Sequence, residues 1–255
     1  MRILASDYDG TLDAGGIDDR KREAIRRWRA QGNRFGIISG RNLDDLVFQA
    51  ADNRLDCDFL IANNGAVTAT ADGTVLSDVR GAGEVAAQLI DRLFRRGIPA
   101  VRLGGARCGY IRAAGSSAPG DIPAALLPTL PYFYQISVEL SAPQEALALA
   151  EQMRLSFGGS IDLHPNGKWL DIVPRSVDKA AALRQLAARL SVPTEKVIVV
   201  GDSTNDAGML AAFPSYAMAS AVPSVQRLAD AVTPGVAELI GRELAKQTAG
   251  AGLVR

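Results

Sequence analysis

The sequence is poor in the residues that build disulfide frameworks and zinc sites. Its 255 residues include two cysteines, Cys57 and Cys108, and one histidine, His164. Two cysteines without a CxxC pair argue against a disulfide-stapled or zinc-stapled fold, and they fit a reducing compartment. We therefore expect a cytoplasmic protein, long enough to be held together by a buried apolar core.

An excess of charge of one sign and long apolar runs are also missing. Lysine plus arginine and aspartate plus glutamate number 28 each, so the formal net charge is zero. Nucleic acids and membrane surfaces usually attract a basic excess, so neither partner is expected. No run of about 18 apolar residues occurs, which predicts no membrane span. The N-terminus reaches Asp7 and Asp9 too early for a signal peptide.

Strand and helix patterns alternate in the first and last parts of the chain. Apolar runs predict strands, and amphipathic stretches predict helices between them. In the first part the predicted strands cover residues 2–6, 34–38 and 59–62, with helices over 19–31 and 43–51. In the last part we predict a helix over 178–190, a strand over 197–200, a helix over 205–212, a strand over 216–218 and a helical tail over 234–246. This alternation predicts a parallel sheet, and such sheets bind ligands beyond the carboxyl ends of their strands.

The segment between these parts has the signals of an antiparallel sheet. Asp72-Gly73 and Asn166-Gly167 predict hairpin turns. We predict strands over 67–70, 74–77, 98–103, 108–112, 134–140, 161–164 and 168–173, helices over 83–96 and 143–158, and a loop over 114–131. The fold class is therefore α/β, with a Rossmann-like parallel-sheet core interrupted by an inserted α/β domain that contains an antiparallel sheet. The predicted domains are a core over 1–80 and 176–255 and an insertion over 81–175.

Two acidic pairs follow predicted core strands. Asp7 and Asp9 come directly after the first strand, where a carboxylate can attack phosphorus and a second can transfer a proton. Asp202 and Asp206 follow the strand over 197–200. Each pair alone leaves open that the aspartates only cap helices or turns. Together the four would repel one another unless a cation were bound, and oxygen ligands favour Mg²⁺.

Two further residues suit the binding of a phosphoryl group. Ser39, at the end of the second strand, can donate a hydrogen bond from its hydroxyl and from its backbone N–H. Lys179 begins the helix after the insertion, where a lysine is unfavourable to the helix dipole, which favours a specific role over a surface one.

Four segments in this order resemble the motifs of the haloacid dehalogenase-like phosphatases: DYDGTL, ISGR, Lys179 and GDSTND. The insertion resembles the cap domain of the Cof-like sugar-phosphatase branch, as do the segments NNGA at 63–66 and LDIVP at 170–174. The resemblance covers nearly the whole chain. It implies that the inserted domain is a cap that selects the substrate.

The resemblance implies a role for each matching residue. Asp7 matches the nucleophile, and Asp9 matches the general acid and base. Ser39, Lys179 and Asn205 match the groups that bind or orient the phosphate.

The metal site is implied in the same way. Asp7 and Asp202 match direct Mg²⁺ ligands, Asp206 matches a second acidic residue of the site, and Asp9 is expected to give the ion its backbone carbonyl. Mg²⁺ is therefore the expected cofactor.

The sequence departs from the pattern of this branch at three places. Ser203 stands where glycine is usual, Asp171 where glutamate is common, and residues 218–221 lack a glycine and an asparagine. The last change removes any contact made by that asparagine, but no departure removes a catalytic carboxylate.

Other conspicuous residues leave alternatives open. Arg41 is either an ion-pair partner or a phosphate contact. His164 and Trp169 are expected to be structural, although His164 lies where it could touch a substrate.

The expected function is Mg²⁺-dependent hydrolysis of a small phosphomonoester, such as a sugar phosphate, through an aspartyl-phosphate intermediate. A phosphomutase of the phosphomannomutase type is an alternative with a similar motif set. A non-catalytic module that binds a phosphate ligand is another, although binding alone does not need four acids. A dinucleotide-binding enzyme is disfavoured because no GxGxxG follows the first strand. The identity of the phosphorylated metabolite and the oligomeric state cannot be predicted.

Overall fold

The computed structural model describes residues 1–113 and 118–252, with side chains up to residue 248. The chain forms two compact units. The core unit combines Met1–Leu76 with the chain from Lys179 onward, and the inserted unit is Ser77–Asp178. The predicted domain boundaries at 80 and 175 lie within a few residues of these limits and stay a prediction.

The first segment of the core unit alternates strands and helices. Its elements are β1 (Ile3–Ser6), α1 (Asp19–Ala30), β2 (Arg34–Ile38), α2 (Leu43–Asp52), β3 (Phe59–Ala62), β4 (Val67–Thr70) and β5 (Val75–Asp78). Helix α1 shows why these bounds hold. It begins where the Asp18 carboxylate accepts a hydrogen bond from the Lys21 N–H, and it ends just before Gly32, whose φ is +73°. Its apolar stripe, centred on Trp28, is buried.

The inserted unit contains six strands and two α-helices within its described residues. They are β6 (Gly81–Ala82), α3 (Gly83–Arg95), β7 (Ala100–Gly105), β8 (Gly109–Arg112), β9 (Tyr132–Glu139), α4 (Pro143–Phe157), β10 (Ile161–Asn166) and β11 (Trp169–Pro174). The strands form an antiparallel sheet in the order β10-β11-β9-β7-β8, with β6 also beside β9. Alternate apolar side chains of the sheet, such as Leu103, Ile136 and Leu170, share one buried cluster with α3 and α4. The helices therefore cover one face of this sheet.

Two local predictions in the inserted unit were wrong. Asn166 pairs with Trp169, so Gly167 and Lys168 form the hairpin turn instead of Asn166 and Gly167. Gly167 takes the left-handed conformation, with φ +55°, that makes a glycine useful there. The predicted loop over 114–131 contains a 3₁₀ helix, Ala124–Thr129, while residues 114–117 lie outside the described residues.

The last segment returns to the core unit. Its elements are α5 (Lys179–Arg189), β12 (Val197–Gly201), α6 (Ala207–Ala212), β13 (Ser215–Met218), α7 (Pro223–Gln226), β14 (Ala231–Thr233) and α8 (Val236–Gly252). The short elements α7 and β14 were not predicted. Helix α8 was predicted to end near Lys246 but continues to Gly252, because no proline interrupts a tail whose alanines favour helix.

The core sheet has the strand order β14-β13-β12-β1-β2-β3-β4-β5. Neighbouring strands from β14 to β3 are parallel, and β4 runs antiparallel to β3. Every residue of β1, β3 and β12 is buried, as expected for a parallel sheet covered on both faces. The predicted α/β class, with a parallel-sheet core and a separate antiparallel sheet, is confirmed. The strands β12, β1, β2 and β3 are neighbours and parallel, so the residues that follow them meet at one edge.

None of the helices in the described part of the chain is long and apolar enough to cross a membrane. The cytoplasmic location stays a prediction.

Candidate active site

The loop after β1 turns sharply beside the loop after β12. The Asp7 N–H donates to the Val200 carbonyl at 2.9 Å, which extends the pairing of β1 with β12 by one residue. Gly10 then adopts φ +79°, and a Cβ at this position would lie 2.5 Å from Asp202 Oδ2. Only glycine combines this backbone conformation with so close an approach. The positive φ and the neighbouring carboxylate together therefore explain why a glycine occupies position 10.

Three aspartates from the two loops come together at this edge. Asp7, Asp202 and Asp206 each offer a carboxylate oxygen, and these oxygens lie within 4.8 Å of one another. Asp7 is 5% exposed and Asp206 is fully buried. Carboxylates that are this close together and this well shielded from solvent repel one another strongly when ionised. Positive charge is therefore needed beside them.

Lys179 supplies part of that charge. Its side chain is 2% exposed, and its ammonium donates to Asp7 Oδ1 and to Asp206 Oδ1, at 2.6 Å in each case. Lys179 is the first residue of α5, and its amine lies at the edge of the sheet beside these acids. The lysine is therefore a buried bridge between the first and last motifs, not a surface residue.

Burial and charge shift the ionisation of this cluster. Burial raises the pKa of Asp7 well above its usual value and Asp206 raises it further, while Lys179 lowers it. Burial also raises the pKa of Asp202, partly offset by a hydrogen bond from Thr11. For Lys179 burial alone lowers the pKa, but Asp206 and Asp7 more than compensate, so its pKa lies above the usual value. The lysine stays charged, and the remaining negative charge fits a divalent cation held by oxygen ligands.

Each acid of the second loop is fixed by hydrogen bonds. Thr11 Oγ1 donates to Asp202 Oδ1 at 2.7 Å. Asp206 Oδ2 accepts from the N–H groups of Asp202 and Ser203, both at 3.0 Å. Ser203, which stands where the resemblance leads one to expect a glycine, caps the short 3₁₀ turn Thr204–Asp206 with its own side chain. Thr11 lies inside the DYDGTL segment, but its residue type alone does not predict this contact.

The carboxylate of Asp9 lies apart from the three clustered acids. Its side chain is 55% exposed and forms an ion pair with Arg41. Arg41 Nε donates to Asp9 Oδ2 at 2.8 Å, and Arg41 Nη2 donates to Asp9 Oδ1 at 2.6 Å. The hydrogen bond with Asp9 raises the pKa of Arg41. Of the two interpretations offered for Arg41, the structure contains the ion pair.

Ser39 is held more tightly than the sequence suggested. It is 2% exposed and its N–H donates to the Ile61 carbonyl at 2.9 Å. Its Oγ accepts from the Arg41 N–H at 3.2 Å. The prediction that the Ser39 backbone N–H binds a phosphate was therefore wrong, because neighbouring strand β3 uses that donor. The hydroxyl proton remains the group that Ser39 can offer.

The NNGA segment forms a buried left-handed turn beside Ser39. Asn63 and Asn64 have φ values of +52° and +54°, which asparagine tolerates better than most residues. The Asn64 N–H donates to the Ser39 carbonyl at 3.0 Å. Asn205 Nδ2 points at Asn64 Oδ1 at 3.5 Å, while Asn205 Oδ1 is buried without a hydrogen-bond partner among the described residues. The turn therefore orders Ser39 and approaches Asn205.

A row of polar side chains crosses the face of the inserted sheet opposite α3 and α4. Cross-strand pairing aligns Tyr110 with Arg102, Arg102 with Ser137, Ser137 with Asp171, and Asp171 with His164. Within this polar row, Ser137 Oγ donates to Asp171 Oδ1 at 2.7 Å. His164 Nε2 lies 3.0 Å from the Val177 carbonyl, which gives the histidine a structural contact as predicted. Asp171 is therefore one of several polar side chains that lie side by side on this face of the sheet and are joined in part by hydrogen bonds.

Known proteins resemble this chain in sequence and in fold. Residues 4–114 and 133–239 match the profile of the haloacid dehalogenase-like hydrolase family. The chain is 34% identical over 85 residues to phosphoglycolate phosphatase from Pyrobaculum aerophilum, an alignment covering 33% of the chain and 37% of that protein. It is 28% identical over 236 residues to phosphoglycolate phosphatase from Natronomonas pharaonis, covering 90% of each. A haloacid dehalogenase-like hydrolase from B. subtilis shares the fold with a TM-score of 0.79 at 20% identity, over 94% of this chain and 99% of that one. Because the family profile spans most of both units and its motif residues meet at one sheet edge, the chain belongs to the haloacid dehalogenase-like hydrolases.

Proposed function

We propose that this hydrolase is a Mg²⁺-dependent phosphatase that cleaves a small phosphomonoester through an aspartyl phosphate on Asp7. The buried contact between Asp7 and Lys179 at the edge of the parallel sheet supports it most directly. A carboxylate held there beside a fixed cation suits attack on an anionic phosphoryl group. Two relatives named as phosphatases, one aligned over most of its length, support the same reaction class.

In the first half of the reaction an Asp7 oxygen attacks phosphorus and the bond to the ester oxygen breaks. Asp9 gives its proton to the departing oxygen, so an alcohol leaves. The Ser39 hydroxyl and the Lys179 ammonium offset the charge on the phosphoryl oxygens, and Asn205 orients the group.

In the second half Asp9, now ionised, takes a proton from water. The water oxygen bonds to phosphorus, the bond to the Asp7 oxygen breaks, and inorganic phosphate leaves. Asp7 and Asp9 return to their starting states, so no further reactant is needed.

The residues present fit a magnesium ion. Asp7, Asp202 and Asp206 would hold it, with the backbone carbonyl of Asp9 as a further ligand; the donor set is all oxygen, and burial raises the pKa of two of the carboxylates. When bound, Mg²⁺ supplies positive charge against the phosphoryl oxygens.

An activity assay on phosphorylated metabolites tests this function. With Mg²⁺, the protein is expected to release inorganic phosphate from at least one of a set of sugar phosphates, 2-phosphoglycolate, nucleoside monophosphates and flavin mononucleotide. Chelation of the metal should lower the rate by about a hundredfold or more, because the acidic cluster then lacks its counter-charge. Release without a bisphosphate activator separates this function from a phosphomutase. Binding without any release would support the non-catalytic alternative.

The inserted unit is proposed to be the cap that selects the substrate, with the polar row as its selective surface. Asp171→Ala should lower kcat/KM for the best metabolite about tenfold or more, since a hydrogen bond to a charged group is lost. Hydrolysis of p-nitrophenyl phosphate, which offers no hydroxyl to the row, should change less than about twofold. Asp91→Ala on α3, whose carboxylate faces Arg95, is the matched control. Equal losses on both substrates would contradict a selective role.

A further inference from the structure

The bidentate pair of Asp9 and Arg41 has a consequence for the proposed proton transfer. Both carboxylate oxygens of Asp9 accept a hydrogen bond from the same guanidinium, at 2.8 and 2.6 Å. Both oxygens are therefore occupied by Arg41 in the unliganded chain. Neither can form a hydrogen bond in that geometry with an oxygen of a substrate, so at least one of the two contacts must break during turnover.

We propose that Arg41 is shared by two anions: it holds Asp9 in the unliganded enzyme and transfers to the phosphoryl group when substrate binds. This transfer frees both carboxylate oxygens of Asp9, and the proton that Asp9 then gives to the ester oxygen is taken up from solvent. The inference rests on the proposed role of Asp9, and it assigns Arg41 a place in substrate binding.

The surroundings of Arg41 suit such an exchange. Its side chain is 33% exposed and that of Asp9 is 55% exposed, so water screens the pair and little stability is lost when it opens. The guanidinium carbon lies 5.2 Å from the centre of the Tyr8 ring. This contact with an aromatic face can persist while the hydrogen bonds change partner.

The ring under Arg41 is fixed in place. Tyr8 is fully buried and its hydroxyl donates to Gln49 Oε1 at 2.9 Å, while Asn53 Nδ2 donates to the same hydroxyl at 3.3 Å. Helix α2 therefore anchors the platform on which the guanidinium rests.

The backbone of Arg41 is tied to the proposed phosphate site. Its N–H donates to Ser39 Oγ at 3.2 Å, and its carbonyl accepts from the Asn63 N–H at 2.8 Å. A phosphoryl group bound by Ser39 would therefore meet a guanidinium two residues along the same loop. A planar guanidinium matches a phosphate as well as a carboxylate, which permits the exchange without a new partner.

A double-mutant cycle on phosphate binding tests the inference. The Kd of inorganic phosphate is measured by titration calorimetry, with Mg²⁺ present, for the unaltered chain, Asp9→Asn, Arg41→Gln and the double variant. With Arg41 present, Asp9→Asn should bind phosphate about tenfold more tightly, because the competing carboxylate is gone. In the Arg41→Gln background the same change should shift the Kd less than about twofold.

The matched control is Asp45→Asn, which removes an acid close enough to influence Arg41 electrostatically but leaves the Asp9 pair intact. It should shift the Kd less than about twofold. Equal tightening by Asp9→Asn in both backgrounds would mean simple charge repulsion and would overturn the sharing of Arg41. Undetectable phosphate binding by Asp9→Asn with Arg41 intact would overturn it as well.

The titration involves no turnover, so its outcome is separate from that of the activity assays. If the effects of Asp9→Asn and Arg41→Gln on the phosphate Kd are not coupled, the exchange of Arg41 is refuted. The nucleophilic role of Asp7 is then still decided by its own activity test. If the effects are coupled but the protein hydrolyses no phosphomonoester, the exchange of Arg41 is supported and the proposed catalytic function is refuted.

Discussion

Asp7→Asn is expected to lower kcat for a phosphomonoester by about 10⁴-fold or more. The amide keeps the size and shape of the carboxylate, so it can still accept the hydrogen bond from Lys179 Nζ that measures 2.6 Å in the structure. It is a far weaker nucleophile, and no aspartyl phosphate can form at this position. The measurement is steady-state release of inorganic phosphate at saturating Mg²⁺. Quenched reactions should also lose the acid-stable phosphate label that the unaltered protein carries.

The design separates loss of the nucleophile from loss of the fold. Asp44→Asn, on the exposed side of helix α2, is the matched control and should retain activity within about twofold. Thermal unfolding should show that Asp7→Asn remains folded, since the substitution removes one of three mutually repelling carboxylates. Asp7→Ala should give the same loss of turnover. Activity within tenfold of the unaltered protein in either variant would refute the role of Asp7.

Lys179→Met should damage both stability and turnover. The side chain is 2% exposed and its ammonium contacts two buried carboxylates, so its removal leaves Asp7 and Asp206 without a counter-charge. Breaking a buried ion pair in this way lowers the free energy of unfolding by about 3–5 kcal/mol. In a chain of this size that corresponds to a Tm lower by about 10 °C. The value of kcat should fall about 10²- to 10³-fold, because Lys179 lowers the pKa of Asp7, the proposed nucleophile, and would face the charge of a bound phosphoryl group.

Divalent metal distinguishes this electrostatic explanation from simple loss of packing. If the carboxylates repel one another, Mg²⁺ should raise the Tm of Lys179→Met by more than that of the unaltered protein. The exposed Lys196→Met, in the turn before β12, is the control and should change neither Tm nor kcat appreciably. If Mg²⁺ leaves the difference in Tm between Lys179→Met and the unaltered protein unchanged, the loss of stability is due to lost packing.

Residues at the ends of core strands were predictable because two simple patterns agree there. Apolar runs mark β1, β2, β3 and β12, and parallel strands deliver the residues that follow them to one edge. Asp7, Asp202 and Asp206 were therefore identified before their separation was known. A functional role was predicted for Lys179, but its contacts with Asp7 and Asp206 were not. The charge of a lysine does not indicate which acidic side chains it contacts.

Features that depend on local competition for hydrogen bonds were not predictable. The Ser39 N–H was expected at the phosphate, but pairing between β2 and β3 takes it. The hairpin turn near Gly167 lies one residue later than predicted. Cross-strand packing, rather than the Asn-Gly signal alone, sets the register of its strands. The partner of Arg41 was left open between carboxylate and phosphate because a guanidinium suits both. These outcomes depend on distances of a few ångströms that residue types do not encode.

The placement of β1 in the middle of the core sheet has a consequence for how the chain folds. Ile3 pairs with Arg34 on one side and with Val197 on the other. The second partner is among the last core strands to leave the ribosome. At a translation rate of about 5–20 residues per second, β12 is synthesised on the order of ten seconds or longer after β1. One edge of β1 is unpaired during this interval.

During that interval a strand with three apolar residues out of four presents unpaired backbone groups to its surroundings. Such an edge is a template for pairing with other chains, so the nascent protein depends on chaperones or on transient coverage by its own helices. The inserted unit, whose strands all pair within Ser77–Asp178, can fold during the wait. The acidic cluster is therefore completed late in synthesis, when β12 pairs with β1 and brings Asp202 and Asp206 beside Asp7, which was made at the start.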